Sequence, residues 1–340
     1  MSLPVRRHPI GCEVGSAAGR LTMVGTMHEP PAALAQPGER IAFLLLNAGP
    51  APRAGNSDLS AHLADRLARR GIPGFRFDLP RLGDSTGPAW PDIDTFWQAS
   101  QRGENDEAVT TLVNDLCIRY RLRGVLLGGL CAGAIASVRV GEALAERIAG
   151  LVLLEPNFRA TAEIRNTQSA APAAEPDTTA APTARRRRLR RTLSRILNPN
   201  ELLYILTGES RYARPFRPIK PLLEGILARR VGKELPPDVL MPAVMSWRRL
   251  LDQRVPSLVV LAQGLGTDRY MDRIHRSFPP VAPEILHTVA IPETNHILTA
   301  GDARRATEEA LDAWVAARFP KAVAGPAPRP AVEAEDAAVA

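Results

Sequence analysis

The sequence has few cysteines and no long apolar segment, and both absences limit what the protein can be. Its three cysteines, Cys12, Cys117 and Cys131, have neither the number nor the spacing of a disulfide framework or a zinc site. No segment is long and apolar enough to span a bilayer, and no apolar run follows the basic residues near the N-terminus, so no secretory signal is indicated. We therefore expect a soluble cytoplasmic protein in a reducing compartment.

Signatures of cofactor binding are also missing. Gly264 and Gly266 lack the third glycine and the helix start of a dinucleotide fingerprint, and no phosphate-cradling loop or metal-ligand cluster stands out. We expect neither a cofactor nor a bound metal.

The net charge of +7 is concentrated in one place. An arginine-rich run extends from Arg185 to Arg191, beside a segment rich in Ala, Pro and Thr. Such a run indicates either a solvated helix start or linker edge, or a weak contact with an anionic surface. Specific binding of nucleic acid is not expected.

The most informative segment is 124–137, where an apolar strand pattern changes directly into a small-residue helix pattern. Gly129, Cys131 and Gly133 have the spacing of the G-x-S-x-G nucleophile elbow, with cysteine in place of serine. A helix start lowers a thiol pKa and offers N–H groups to an oxyanion. The alternative interpretation is a buried structural cysteine at a strand end.

Strand and helix patterns alternate along most of the chain, which predicts a mostly parallel central sheet with helices on both faces. Predicted strands occupy 41–46, 74–78, 124–130, 150–155, 255–263 and 285–291, and an early antiparallel edge pair is expected around 20–27. A long helix is predicted at 92–121, with a possible break at Gly103. The expected organisation is a first core part at 20–159, a flexible linker and helical lid insertion at 160–250, a second core part at 251–319 and a disordered tail at 320–340.

Two loops near the elbow have different expected roles. The loop 47–55 is placed to supply the second oxyanion donor, the backbone of Ala48 or Gly49, beside that of Ala132 after the nucleophile. The turn 78–87 carries Asp78 and Ser85, which we interpret as local turn-forming residues and not as catalytic ones.

A nucleophile, an acid and a histidine follow in the order Cys131, Asp268, His296, each in a loop after a predicted strand. His296 would move the proton and Asp268 would orient the imidazole. Asp272, one helical turn further on, and Glu155, at the end of an earlier strand, are alternatives for the acid.

These motifs resemble the α/β-hydrolase superfamily, within it the serine-aminopeptidase (S33-type) hydrolases, and most closely the hydrolases associated with exosortase systems. The resemblance rests on Gly-Pro-x-x-Arg-x-Gly at 49–55, Arg-x-Asp and Gly-Asp-Ser-x-Gly between 76 and 87, and Gly-Leu-Cys-x-Gly-Ala at 129–134. It also includes two short motifs of the predicted lid, Arg-Ile-Leu at 195–197 and Leu-Leu-Tyr-Ile-Leu-Thr-Gly-Glu at 202–209. The resemblance implies the α/β-hydrolase fold with a helical lid.

Three functions are compatible with this sequence. The first is hydrolysis of an acyl ester or thioester, on a small-molecule or carrier-bound substrate, through an acyl-enzyme on Cys131. The second is acyl transfer in a biosynthetic pathway, because a thioester intermediate can be intercepted by an alcohol or amine. The third is a non-catalytic scaffold that binds a partner or an anionic surface through the arginine-rich run.

Overall fold

The computed structural model describes residues 4–16, 19–34, 40–161, 235–300 and 302–323. Its strands are β1 Arg6–Ser16, β2 Gly19–Glu29, β3 Ile41–Leu46, β4 Gly74–Phe77, β5 Gly124–Leu130, β6 Ile148–Leu154, β7 Ser257–Ala262 and β8 Leu286–Ile291. Its helices, numbered over the described residues, are α1 Leu59–Ala68, α2 Ile93–Arg102, α3 Asp106–Arg119, α4 Ala132–Ala143, α5 Met241–Asp252, α6 Thr267–Arg276 and α7 Ala303–Arg318.

The strands form one 8-stranded sheet in the order β1-β2-β4-β3-β5-β6-β7-β8. The six strands β3 to β8 run parallel, while β2 pairs antiparallel with both β1 and β4. Their carboxyl ends therefore meet at one edge, which is where ligands bind in open α/β sheets.

Helices cover both faces of this sheet, which explains why the central strands are apolar at nearly every position. Along β3, Leu44 and Leu46 belong to the core cluster on the face covered by α2 to α6, whereas Phe43 and Leu45 belong to the cluster on the face covered by α1 and α7. Side chains alternate across a strand, so each face receives every second residue. All positions of β3, β5 and β7 are consequently buried.

The main features expected from the sequence are confirmed. Strand β5 has the predicted bounds, and the helix predicted at 92–121 is interrupted at Gly103, whose φ of 85° ends α2. The edge pair is also present, although its first strand, β1, was not predicted.

Two predicted segments lie mainly outside the described residues. Of the linker and lid at 160–250, residues 162–234 lie outside the described residues; they include the arginine-rich run and both lid motifs. Helix α5 contains the predicted boundary at 250 and packs mainly against α4, with Val244, Trp247 and Leu250 buried. Of the tail, 320–323 is described and Ala322 is buried.

Candidate active site

Cys131 lies at the carboxyl end of the central strand β5, in the turn that starts α4. Its backbone has φ 55° and ψ −107°, a conformation that residues with side chains rarely adopt, and it is 8% exposed. The Cys131 N–H donates to the carbonyl of Leu154 at 2.9 Å, which extends the pairing of β5 with β6 through the turn. The strand pairing thus fixes the strained backbone beneath the thiol.

The two glycines of the elbow are required by close backbone contacts. A Cβ on Gly129 would lie 2.7 Å from the carbonyl carbon of Gly133. A Cβ on Gly133 would lie 2.7 Å from the carbonyl oxygen of Asn47 and 2.9 Å from that of Leu46. The elbow therefore packs directly against the end of β3, where the loop 47–55 begins.

His296 lies in the segment after β8, which is anchored on either side of the imidazole. Leu298 is fully buried among α1 and α7, and its N–H donates to the Asn295 carbonyl at 2.9 Å. The Asn295 side-chain oxygen accepts from the N–H of Thr299 at 3.0 Å. The His296 side chain itself is 41% exposed, so one side of the ring is accessible.

Glu155, the residue that follows β6, is the carboxylate that contacts this histidine. The Nδ1 atom of His296 lies 2.8 Å from Glu155 Oε2. The other carboxylate oxygen, Oε1, accepts a short hydrogen bond from the N–H of Ala262 at the end of β7. Glu155 is fully buried, and each of its carboxylate oxygens has a nitrogen partner, so neither is left without a hydrogen bond.

Electrostatics link the three side chains. A hydrogen bond with Cys131, followed by that with Glu155, raises the pKa of His296 from 6.5 to about 10, against the opposing effect of burial. One ring nitrogen is occupied by Glu155, so the other, Nε2, is the one that serves the thiol. The imidazole is therefore held between a sulfur and a carboxylate, and its charged form is favoured at neutral pH.

The prediction of Asp268 as the partner of His296 is not what the structure shows. The Asp268 carboxylate accepts from the N–H groups of Gly264 at 2.8 Å, Gly266 at 3.1 Å and Arg269 at 2.8 Å. These bonds, that with Gly264 first, lower the pKa of Asp268. Asp268 thus closes the turn before α6, a common use of aspartate at a helix start.

The other alternative for the acid, Asp272, lies exposed on α6, where its carbonyl accepts from Arg276 at 3.4 Å. Glu155, which the sequence offered as an alternative, is the acid that the structure brings to the histidine. A glutamate that ends an apolar strand and precedes a proline was the available signal, because a buried charge needs a partner.

The three expected oxyanion donors lie around the elbow. Ala132 is the first residue of α4, so its N–H has no acceptor within the helix. Ala48 and Gly49 begin the loop 47–55; Gly49 has φ 63°, and a Cβ there would lie 3.0 Å from the ring of Trp97. The structure brings these residues to the same edge of the sheet as Cys131.

The side chain of Asn47, whose role the sequence did not indicate, holds this loop. Its amide nitrogen donates to the Ala51 carbonyl at 2.7 Å and to Asp78 Oδ1 at 3.2 Å, and its oxygen accepts from the N–H of Leu79 at 2.7 Å. Asp78 also accepts from the Arg53 N–H at 2.6 Å.

The local bonds expected of the turn 78–87 are present, but Asp78 also binds Asn47 and Arg53 of the separate loop 47–55, which the sequence did not indicate. Ser85 donates to the Asp78 carbonyl at 2.7 Å and accepts from the N–H of Val24 at 2.8 Å. The turn therefore ties β4 to β2 and presents Asp78 to the loop 47–55.

Two kinds of feature are absent from the described ranges. Within them no group of three or more His, Cys, Asp or Glu side chains is arranged to hold a metal ion. No helix in the same ranges combines the length and apolarity needed to cross a bilayer.

Solved structures with a similar fold include several hydrolases. The haloalkane dehalogenase DbeA from Bradyrhizobium elkani is 14% identical, with a TM-score of 0.51 over 93% of this chain and 99% of its own. A thermophilic esterase from Thermogutta terrifontis is 17% identical, with a TM-score of 0.49 over 92% of this chain and 99% of its own. At these identities the similarity concerns the fold. The comparison with curated proteins finds no match.

The family of the protein is shown by a match between its sequence and the model of a protein family. The model described as the Alpha/beta hydrolase family matches residues 43–331, which include the elbow, Glu155 and the histidine loop. The mostly parallel sheet, the helices on both faces and the site at its carboxyl edge agree with this match. The chain therefore has the α/β-hydrolase fold, belongs to the alpha/beta hydrolase family and is an enzyme of the hydrolase type.

Proposed function

We propose that the protein hydrolyses an acyl ester or thioester through a covalent thioester on Cys131, with His296 as general acid and base and Glu155 as the carboxylate that orients it. The observation that carries this proposal is the position of His296 between the thiol and a fully buried carboxylate. The substrate is an acyl compound that is either free or attached to a carrier.

The first half of the reaction forms the acyl-enzyme. The Cys131 sulfur attacks the carbonyl carbon as a thiolate, and the carbonyl oxygen becomes an oxyanion. The N–H of Ala132 and that of Ala48 or Gly49 stabilise this charge. The bond to the leaving group then breaks, and the departing oxygen or sulfur takes the proton from Nε2 of His296.

The second half releases the acid. Neutral His296 accepts a proton from a water molecule as that water attacks the thioester carbonyl. The carbon–sulfur bond breaks, and the thiolate returns beside the imidazolium. The sum is one ester or thioester and one water converted to a carboxylic acid and an alcohol or thiol.

The raised pKa of His296, about 10, suits the first half in particular. A histidine that is already protonated at neutral pH is ready to donate to the leaving group and is the counterion that a thiolate requires. Glu155 supports the same charge state from the other ring nitrogen.

The narrower resemblance to exosortase-associated hydrolases of the S33 type belongs to this proposal. Its support is that motif residues of separate segments, Arg53, Arg76 and Asp78, are hydrogen-bonded to one another at the loop 47–55. A weak anionic contact through the arginine-rich run also remains a prediction.

The test is intact mass after brief exposure to p-nitrophenyl esters and acyl thioesters, with wild type beside Cys131→Ala. We expect an acyl adduct on wild type alone, and its decay to free acid in water. Decay that yields only the conjugate of an added amine or alcohol would assign acyl transfer instead. The absence of both adduct and turnover in wild type would contradict catalysis at Cys131.

A further inference from the structure

A chain of buried polar side chains lies between the N-terminal hairpin and the loop 47–55. His28 on β2 is fully buried, with Nδ1 2.6 Å from Asp65 Oδ1 on α1 and Nε2 2.8 Å from Arg76 Nε on β4. A guanidinium only donates hydrogen bonds, so Nε2 must accept and Nδ1 must carry the hydrogen that Asp65 accepts. The imidazole is thus fixed as one neutral tautomer between a carboxylate and a cation.

Arg76 extends this chain to the loop 47–55. Its Nη1 atom donates to the carbonyl of Arg53 at 3.0 Å, and Arg76 is only 6% exposed. The backbone N–H of the same Arg53 donates to Asp78, which also binds Asn47 at the start of the loop. Arg76 and Asp78 therefore hold both polar groups of the Arg53 backbone.

The energetics couple His28 to the loop. A buried guanidinium that loses an acceptor keeps its desolvation cost without compensation, so it relaxes toward another partner. If the Nε2 acceptor of His28 is removed, Arg76 must reorient, and its bond to the Arg53 carbonyl is the one nearest the active site. A displacement of the loop then moves the N–H groups of Ala48 and Gly49.

Asp65 completes the arrangement on the other side. It is buried and accepts from Arg7, which lies on β1 and is ion-paired to it. Burial is the leading cause that lowers the pKa of His28 to about 4, and the neighbouring Arg76 acts in the same direction. The neutral histidine is therefore kept between two groups of opposite charge at ordinary pH.

We propose that His28, Asp65 and Arg76 are positioning residues that hold the loop 47–55 where its backbone stabilises the oxyanion. This inference rests on the proposed function. None of the three side chains is assigned contact with the substrate; they act through the carbonyl of Arg53.

Two reactions of Cys131 separate this role from a merely structural one. Alkylation by iodoacetamide displaces iodide and forms no oxyanion, whereas acylation by a p-nitrophenyl ester does. For His28→Leu we expect the ratio of acylation rate to alkylation rate to fall at least about tenfold, with alkylation close to wild type. His28→Gln, which offers an acceptor and a donor, is expected to recover part of the ratio.

The matched control is His8→Asn on β1, since His8 is half-exposed and pairs with Glu29 at the surface. Its ratio is expected to equal that of wild type. Arg76→Lys provides a second route if His28→Leu does not fold, because lysine carries its donors on one nitrogen and does not reproduce the fixed spacing of Nε and Nη1. Its ratio should fall in the same way.

The outcomes distinguish the two proposals. An unchanged ratio in folded His28→Leu or Arg76→Lys overturns the positioning role and leaves the proposed function intact. A wild-type enzyme that is alkylated at Cys131 but never acylated overturns the proposed function itself. A fall in the ratio, with faster amide hydrogen exchange in the loop 47–55, is the supporting result.

Discussion

Replacement of Glu155 by glutamine is the sharpest test of the site, because both partners of its carboxylate are N–H donors. The donors are the N–H of Ala262 and Nδ1 of His296, the latter at 2.8 Å. A glutamine side chain has one acceptor and one NH₂ group, so one of the two N–H groups must face another donor. Either the strand end loses its bond or the imidazole adopts the wrong tautomer.

The magnitude follows from burial and charge. Truncation of one partner of a buried, hydrogen-bonded charge pair costs about 2 to 5 kcal/mol. At about 1.36 kcal/mol per tenfold change in rate, this corresponds to a loss of about 30-fold to several thousand-fold in kcat. The pKa of His296 should also be lower in this variant, since the hydrogen bond with Glu155 is the second-largest cause of its increase.

The assay is single-turnover acylation of Cys131 by a p-nitrophenyl ester, with Asp268→Asn as the matched control. Asp268 accepts from three backbone N–H groups of its own turn, so Asp268→Asn should weaken the start of α6 and leave kcat within a few-fold of wild type. A loss of activity in Asp268→Asn together with near-normal activity in Glu155→Gln would refute the assignment of the acid.

Two further predictions concern charge and packing. The pKa of His296 is raised from 6.5 to about 10, so the stability that its charged form contributes is complete below pH 6.5 and is lost as the pH rises through about 10. The free energy of unfolding in urea should therefore decline over that range more in wild type than in His296→Asn. A matching decline in His296→Asn would contradict the shift. Gly133→Ala places a Cβ 2.7 Å from the Asn47 carbonyl, so we expect a loss of about 1 to 3 kcal/mol in unfolding free energy and slow acylation. Gly15→Ala, where nothing lies within 4 Å, should match wild type in both measurements, and equal behaviour of the two variants would argue against close packing at the elbow.

Much of the fold could be predicted because its signals are local. The end of β5 and the start of α4 are marked by a change in residue pattern at Cys131, and Gly103 separates α2 from α3 through its left-handed backbone. Strand β1 escaped prediction because an edge strand with one exposed face carries charged residues such as Arg6 and Glu13, which hide its alternation.

The polar network beneath the loop 47–55 could not be predicted in the same way. Its members come from three separate elements: His28 from β2, Asp65 from α1 and Arg76 from β4. No local sequence pattern indicates that these side chains are in contact. Only the pairing of β2 with β4, which sets His28 opposite Gly74, brings the imidazole toward Arg76.

The choice between Glu155 and Asp268 depends on strand order, which the sequence does not state. Both residues follow a parallel strand, so their positions along the chain favoured Asp268 only through the order of the three residues and did not exclude Glu155. In the sheet, β6 is hydrogen-bonded to the nucleophile strand β5, whereas β7 is one strand further away. Neighbouring strands lie about 4.8 Å apart, so an acid at the end of β6 stands one strand spacing from Cys131. A histidine that reaches back from β8 toward Cys131 passes over this position, and the buried Glu155 is there to receive its Nδ1–H.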